Sequence, residues 1–205
     1  FLSAGYDVVG LDNFSKYGPV TPSRQARYEF VQGDAKDVAL LTKLLASCDH
    51  FVAGAAMIGG IAYFHRLAFD LLAENERITA SAFEAAIAAR KSGRLQKITV
   101  MSSSMVFENA TEFPTPEGAQ HRSPPPTSTY GFQKLATEYF AIGAWQQYEL
   151  PYTIVRPFNC VGIGERRAKT AEEVLSGDIR LAMSHVVPDL VQKILKGQRP
   201  LHLLG

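Results

Sequence analysis

Short apolar runs alternating with long helical patterns constrain this chain more than any other feature. "DVVGLDN" at 7–13, "YEFVQGDAKD" at 28–37, "DHFVAGAA" at 49–56, "KITVMSSS" at 97–104 and "YTIVRPFN" at 152–159 each read as a strand. Helices are predicted between them, over 38–46, Phe69–Lys91 and Thr129–Tyr148. In the longest, Leu71, Leu72, Ile78, Ala82, Phe83, Ala86 and Ile87 recur at helical spacing. Strands apolar on both faces must be covered on both faces. Alternation with helices therefore predicts an α/β fold, a doubly wound parallel sheet.

The opening, "FLSAGYDVVGLDN", reads as the end of a helix, a Gly turn and the second strand of such a sheet. The first strand of a dinucleotide-binding sheet lies centrally and carries the Gly-rich phosphate loop. A chain beginning at Phe1 leaves a gap there, and the "GG" pair at 59–60 follows the third strand and cannot serve instead. We therefore expect 1–205 to be one partial domain of a longer protein, with 165–205 leading into a substrate-binding region.

Composition removes several classes. The net charge of +1, without a basic or acidic block, gives no electrostatic footprint for nucleic acid. No apolar stretch reaches the length of a membrane span, and no signal peptide is evident. Cys48 and Cys160 have no metal-ligand spacing and are too few for a disulfide framework, so no metal is expected. A cytoplasmic protein with reduced thiols is the expectation. Segment 108–128, rich in Pro, Ser and Thr, is a long loop of the kind that is either functional or merely mobile. Segment 165–185 reads as a polar insertion beside a cleft.

"STYGFQK" places Tyr130 and Lys134 four residues apart, on one face of a helix. An ammonium beside a phenol favours the phenolate and lowers its pKa, which makes Tyr130 a general base. With eight tyrosines in the chain, such spacing also arises by chance. "SSS" at 102–104 ends a strand at the carboxyl edge, where open α/β sheets bind ligands. A serine there either shares a substrate proton with Tyr130 or simply terminates the strand. Asp12, at the tip of a strand, suits the two hydroxyls of an adenine ribose and repels a 2′-phosphate, favouring NAD over NADP. It also reads as an ordinary turn Asp.

These motifs, in this order, resemble the NAD-dependent nucleotide-sugar epimerase/dehydratase family, extended short-chain dehydrogenases with a Rossmann-type fold. "VVGLDNFS", "VQGDAKD", "VAGAAMIGGI", "LLAENERIT", "VMSSSMVF", "PPPTSTYGFQKLATE", "VRPFNCVG" and "SHVVPDLVQKILKGQ" carry the resemblance along the whole chain. It implies that Asp12 and Asn13 meet the adenosine ribose, and Asp34 with Ala35 the adenine. Ala53 and Ala55 would lie along the dinucleotide, with Asn75 supporting their loop. Ser103, Tyr130 and Lys134 fall on the catalytic positions, the last two also contacting the cofactor. Asn159 matches a contact to the sugar-nucleotide diphosphate. His185 is open between structural, substrate-contacting and proton-donating roles.

Departures narrow the chemistry. Ser104 and Met105 stand where the family's dehydratases carry an Asp-Glu pair, which disfavours loss of water. Met105 also replaces the cysteine of epimerase-reductases, and a thioether exchanges no proton. Met57 replaces a cofactor-contacting lysine and Phe107 a tyrosine. The resemblance thus implies a nucleotide-sugar epimerase, isomerising at C4 through a keto intermediate with NAD as cofactor. A ketosugar reductase and a non-catalytic nucleotide-binding member are the alternatives. Tyr139, Trp145 and Tyr148 are expected to pack in the core or between subunits, and a homodimer through the 69–91 and 129–148 helices is implied by resemblance only.

Overall fold

The computed structural model describes residues 1–15, 18, 24–58, 66–160 and 186–201. Strands β1 (Val8–Asp12) and β2 (Tyr28–Gln32) are followed by helix α1 (Val38–Leu45) and strand β3 (His50–Ala53). Helix α2 (Ala68–Lys91), strand β4 (Lys97–Met101), helix α3 (Thr129–Tyr148), strand β5 (Tyr152–Val155) and helix α4 (Val186–Leu195) follow. Short 3-10 turns occupy Leu2–Ala4, Ser104–Phe107 and Ala119–His121.

Every strand pairing among the described residues is parallel, as the alternation predicts. Tyr28 lies opposite Val8 in one sheet, while Lys97 lies opposite His50 and Tyr152 opposite Ile98 in the other. Among the described residues the sheet is in two pieces, β1–β2 and β3–β4–β5. Val9 and Val52, 38% and 46% exposed, stand on β1 and β3 and line one cavity.

The local signals act as expected. Gly5, at φ 86, takes the left-handed turn that leads into β1. The Asp37 carboxylate accepts from Leu40 N at 2.9 Å and caps α1. Strand β4 carries the core: Ile98 and Val100 are fully buried. Around it pack Leu41, Leu45, Phe83, Leu95 and Leu150, with Ala85, Ala86 and Ala89 keeping the face of α2 thin enough for close approach. Helices α2 and α3 lie against each other through a buried polar layer. Thr79 and Thr137 hydroxyls stand 3.4 Å apart, and Gln133 Nε2 donates to Thr137 Oγ1 at 2.9 Å.

The strands end earlier than predicted. Residues beyond Gln32, Ala53, Met101 and Val155 leave the ladders and turn into loops at the carboxyl edge. There, polar side chains satisfy backbone groups that pairing no longer satisfies. Of the two settings expected for Tyr139, Trp145 and Tyr148, the core is excluded, since they are 58%, 49% and 38% exposed. Loop 108–128 is tied down: Asn109 Nδ2 donates to Pro125 O at 2.7 Å and to Thr127 Oγ1 at 3.1 Å. The 165–185 segment, with His185, lies outside the described residues.

Candidate active site

Parallel strands aim their carboxyl ends at one edge, and the loops leaving that edge build the site. A cavity of about 1010 Å³ is lined there by Asp12, Asn13, Asp34, Ala35 and Ala55, among others. Its walls follow from local turn chemistry. Asp12 Oδ1 accepts from Phe14 N at 2.6 Å, and Asn13 Oδ1 accepts from Ser15 N at 3.0 Å. Asn13 Nδ2 reaches Asp34 Oδ2 at 3.3 Å, and Asp34 Oδ1 accepts from Lys36 N at 2.8 Å. Burial pulls the Asp34 pKa upward. The Lys36 N–H, the Asn13 amide and the Lys36 charge outweigh it and hold the carboxyl below its usual range. Lys36 also pairs with Glu74.

Asn75, 2% exposed, reaches the loop after β3. Its Oδ1 accepts from Met57 N at 2.7 Å, and its Nδ2 donates to Met57 O at 2.8 Å. One side chain thereby replaces the strand partner that the loop after β3 has lost. Ala53 packs against the core and is not in the cavity lining.

The proton-transfer residues gather at the exit of β4. Ser103 is 8% exposed, and its Oγ accepts from Met105 N at 3.2 Å, capping the 104–107 turn. Ser103 stands near enough to Tyr130 to favour its phenolate. Lys134, 6% exposed, donates from Nζ to Met101 O at 2.9 Å. The start of α3 is fastened just before Tyr130. Glu108 Oε2 accepts from both Ser128 N and Ser128 Oγ at 2.9 Å, and Ser128 Oγ accepts from Gly131 N at 3.0 Å. Gly131 is required here: a Cβ would stand 2.7 Å from Pro126 Cβ and 2.8 Å from Met105 O. Asn159, in the left-handed region at φ 40, is exposed just past β5. It lies neither in the cavity lining nor in the Tyr130 cluster.

The electrostatics correct one expectation. Burial raises the Tyr130 phenol above its usual 10, and Ser103 offsets this only in part. The Lys134 ammonium lies 5.9 Å from the Tyr130 ring centroid and is directed to a backbone carbonyl. Burial lowers Lys134 itself to about 8. Desolvation opposes both charged forms, so this pair is a phenol beside a readily neutralised amine.

Sequence reasoning missed Glu138 and Arg156. Glu138 is 2% exposed and takes a forked pair of hydrogen bonds from Arg156, at 2.7 and 2.8 Å. Removing one partner of such a buried pair costs roughly 3–5 kcal/mol. The signal was present, since Glu138 follows Lys134 by one helical turn.

A family model described as "NAD dependent epimerase/dehydratase family" matches residues 1–205. A UDP-glucose 4-epimerase of Lacticaseibacillus casei is 26% identical over 214 residues, covering 100% of this chain and 57% of that protein. A putative GDP-L-fucose synthase 2 of Oryza sativa subsp. japonica is 27% identical over 146 residues, covering 70% of this chain and 38% of that protein. The chain thus spans well under two thirds of either relative. The crystal structure of the UDP-glucose 4-epimerase of Thermotoga maritima with UDP-glucose superposes with a TM-score of 0.73. It is 24% identical, and the match covers 100% of this chain and 60% of that one, a likeness of fold.

The Lys134 shift fixes a pH dependence. The folded protein releases this proton near pH 8, whereas the unfolded chain holds it to about 10.5. Between these values the unfolded state binds more protons, so stability rises with pH. Relative to Lys134→Met, the unmodified protein should gain stability across that window, with a slope approaching about 1.4 kcal/mol per pH unit. Paired denaturant melts check this, and a flat difference would contradict the buried, shifted amine.

Proposed function

Because the chain belongs to the NAD dependent epimerase/dehydratase family, we propose that it forms the dinucleotide-binding part of a nucleotide-sugar epimerase. The reaction proposed is inversion at C4 of an NDP-hexose through a transient keto sugar. The observation that carries this reading is buried Lys134, fastened to Met101 O one helical turn after Tyr130 and beside buried Ser103, at the carboxyl edge of the parallel sheet. A purely nucleotide-binding role gives no reason to bury a lysine and a tyrosine together there.

The polar groups that line the cavity at the carboxyl edge fit the adenosine end of NAD. Asp12 would take the ribose hydroxyls, Asn13, Asp34 and Ala35 the adenosine end, and Ala55 the dinucleotide along the Asn75-supported loop. When bound, NAD supplies the hydride acceptor and, oxidised, a positive charge that favours the phenolate. Tyr130 then accepts the sugar hydroxyl proton, Ser103 orients that hydroxyl and relays the proton, and Lys134 holds the ribose beside Tyr130. The raised phenol is also the form that returns the proton when the keto group is reduced. Asn159 would meet the diphosphate. Ser104 and Met105 supply no carboxylic acid next to Ser103, which argues against dehydration.

The raised phenol favours a second reading, a ketosugar reductase, which needs only a donor. Net isomerisation without change in the reduced-nicotinamide absorbance separates the epimerase from this alternative. Stoichiometric consumption of NADH or NADPH would favour the reductase. In the full-length enzyme, Tyr130→Phe should lower turnover by at least about 100-fold, the scale of lost acid–base catalysis, and leave NAD affinity within about twofold. Substantial turnover in that variant would refute the proton-transfer role.

The partner is a second copy of the chain, docked on α2 and α3. Phe132, Tyr139, Phe140 and Tyr148 leave this face between 36% and 58% exposed around an apolar groove of about 580 Å³. No helix among the described residues is long and apolar enough to cross a membrane. The unpaired thiols of Cys48 and Cys160 suit a cytoplasmic setting. Sedimentation should give a dimer that Tyr139→Glu converts to monomer. A monomeric unmodified protein would contradict the contact.

A further inference from the structure

Three chemically equal hydroxyls, Ser102, Ser103 and Ser104, leave β4 in succession, and only one can meet Tyr130 in the productive arrangement. The structure contains the device that chooses. Tyr130, Lys134 and Glu138 occupy positions i, i+4 and i+8 of α3, one face of the helix over about two turns. Each meets one residue at the exit of β4. Tyr130 stands next to Ser103, Lys134 donates to Met101 O at 2.9 Å, and Ser102 Oγ donates to Glu138 Oε1 at 2.6 Å.

Glu138 is itself held. Arg156 Nε donates to its Oε1 at 2.7 Å and Arg156 Nη2 to its Oε2 at 2.8 Å. Arg156 stands just past the end of β5, and its Nη1 donates to Glu117 O at 2.9 Å. Its guanidinium covers the Phe107 ring, 5.0 Å from the centroid. One ion pair therefore joins α3, the exits of β4 and β5, the 104–107 turn and the 108–128 loop. Ser102 and Ser103 are consecutive, so a shift that breaks the Ser102 bond moves Ser103 as well.

We propose that Glu138, clamped by Arg156, is a positioning residue for the proton-transfer pair: by capturing Ser102 it leaves Ser103 to face Tyr130. Its effect on turnover rests on the epimerase reading, whereas the pairing of hydroxyls does not.

The test is a titration of Tyr130 in the full-length protein, taken as the tyrosinate absorbance difference between each background and its Tyr130→Phe counterpart. Ser103 favours the phenolate, so Ser103→Ala raises the Tyr130 midpoint. In Glu138→Gln, and in Arg156→Lys, which keeps the charge but loses the fork, that upward shift should fall by more than half. The second variant serves where the first fails to fold. Turnover in either variant should fall by about tenfold or more with KM within about twofold, a positioning loss. An unshifted Tyr130 in Ser103→Ala alone, or an undiminished shift in both variants, would reduce Glu138 to a structural ion pair. A lost shift in a protein without epimerase activity would keep the positioning role and reject the catalytic reading.

Discussion

The buried contact between α3 and the exit of β4 is what the rest of the site depends on. Helix α3 presents Tyr130, Lys134 and Glu138 to the exit of β4, where Ser102 N still donates to Val155 O at 2.8 Å. Lys134 satisfies Met101 O, and Glu138 satisfies the Ser102 hydroxyl. The same contacts that fasten the strand end therefore aim the reactive hydroxyls. Gly131 lets the helix come close enough for this, since any side chain would meet Pro126 and Met105. Structure and chemistry share one set of hydrogen bonds here.

That contact has an electrostatic cost, and the cost has a use. Burying an amine and a phenol together penalises the ammonium and the phenolate alike. The site therefore rests with a phenol above its ordinary pKa and an amine lowered to about 8. A phenol held above its ordinary pKa is the proton-donating form, and a bound positive charge is what would let it accept a proton as well. Cavity and cluster rise from the same carboxyl edge, so a charged ligand entering one alters the balance in the other.

Much of this was legible in the sequence, because period and turn chemistry are local. The parallel strands and the bounds of the Thr129–Tyr148 helix follow from short patterns. Asp12 is legible from its place at a strand tip, whereas Asn13, Asp34 and Asn75 enter only through the family resemblance, since Asn13 meets Asp34, and Asn75 meets Met57, far along the chain. The direction of the Tyr130 shift was not, because spacing places Lys134 nearby but says nothing of burial or of Met101 O. Glu138 and Arg156 escaped for a similar reason. Their partner residues are 18 positions apart and meet only once α3 lies across the ends of β4 and β5. The exposed Tyr139, Trp145 and Tyr148 show the same limit: helical spacing reveals a face but not what covers it.

A crystal structure of the full-length enzyme with NAD and a nucleotide sugar tests the central claim most directly. The sugar C4 hydroxyl should lie within hydrogen-bond reach, about 2.6–3.2 Å, of both Tyr130 and Ser103, with Ser102 still bound to Glu138. A sugar seated away from both hydroxyls, while the dinucleotide fills the cavity, would contradict the proposed chemistry and leave only the fold and the cofactor site standing.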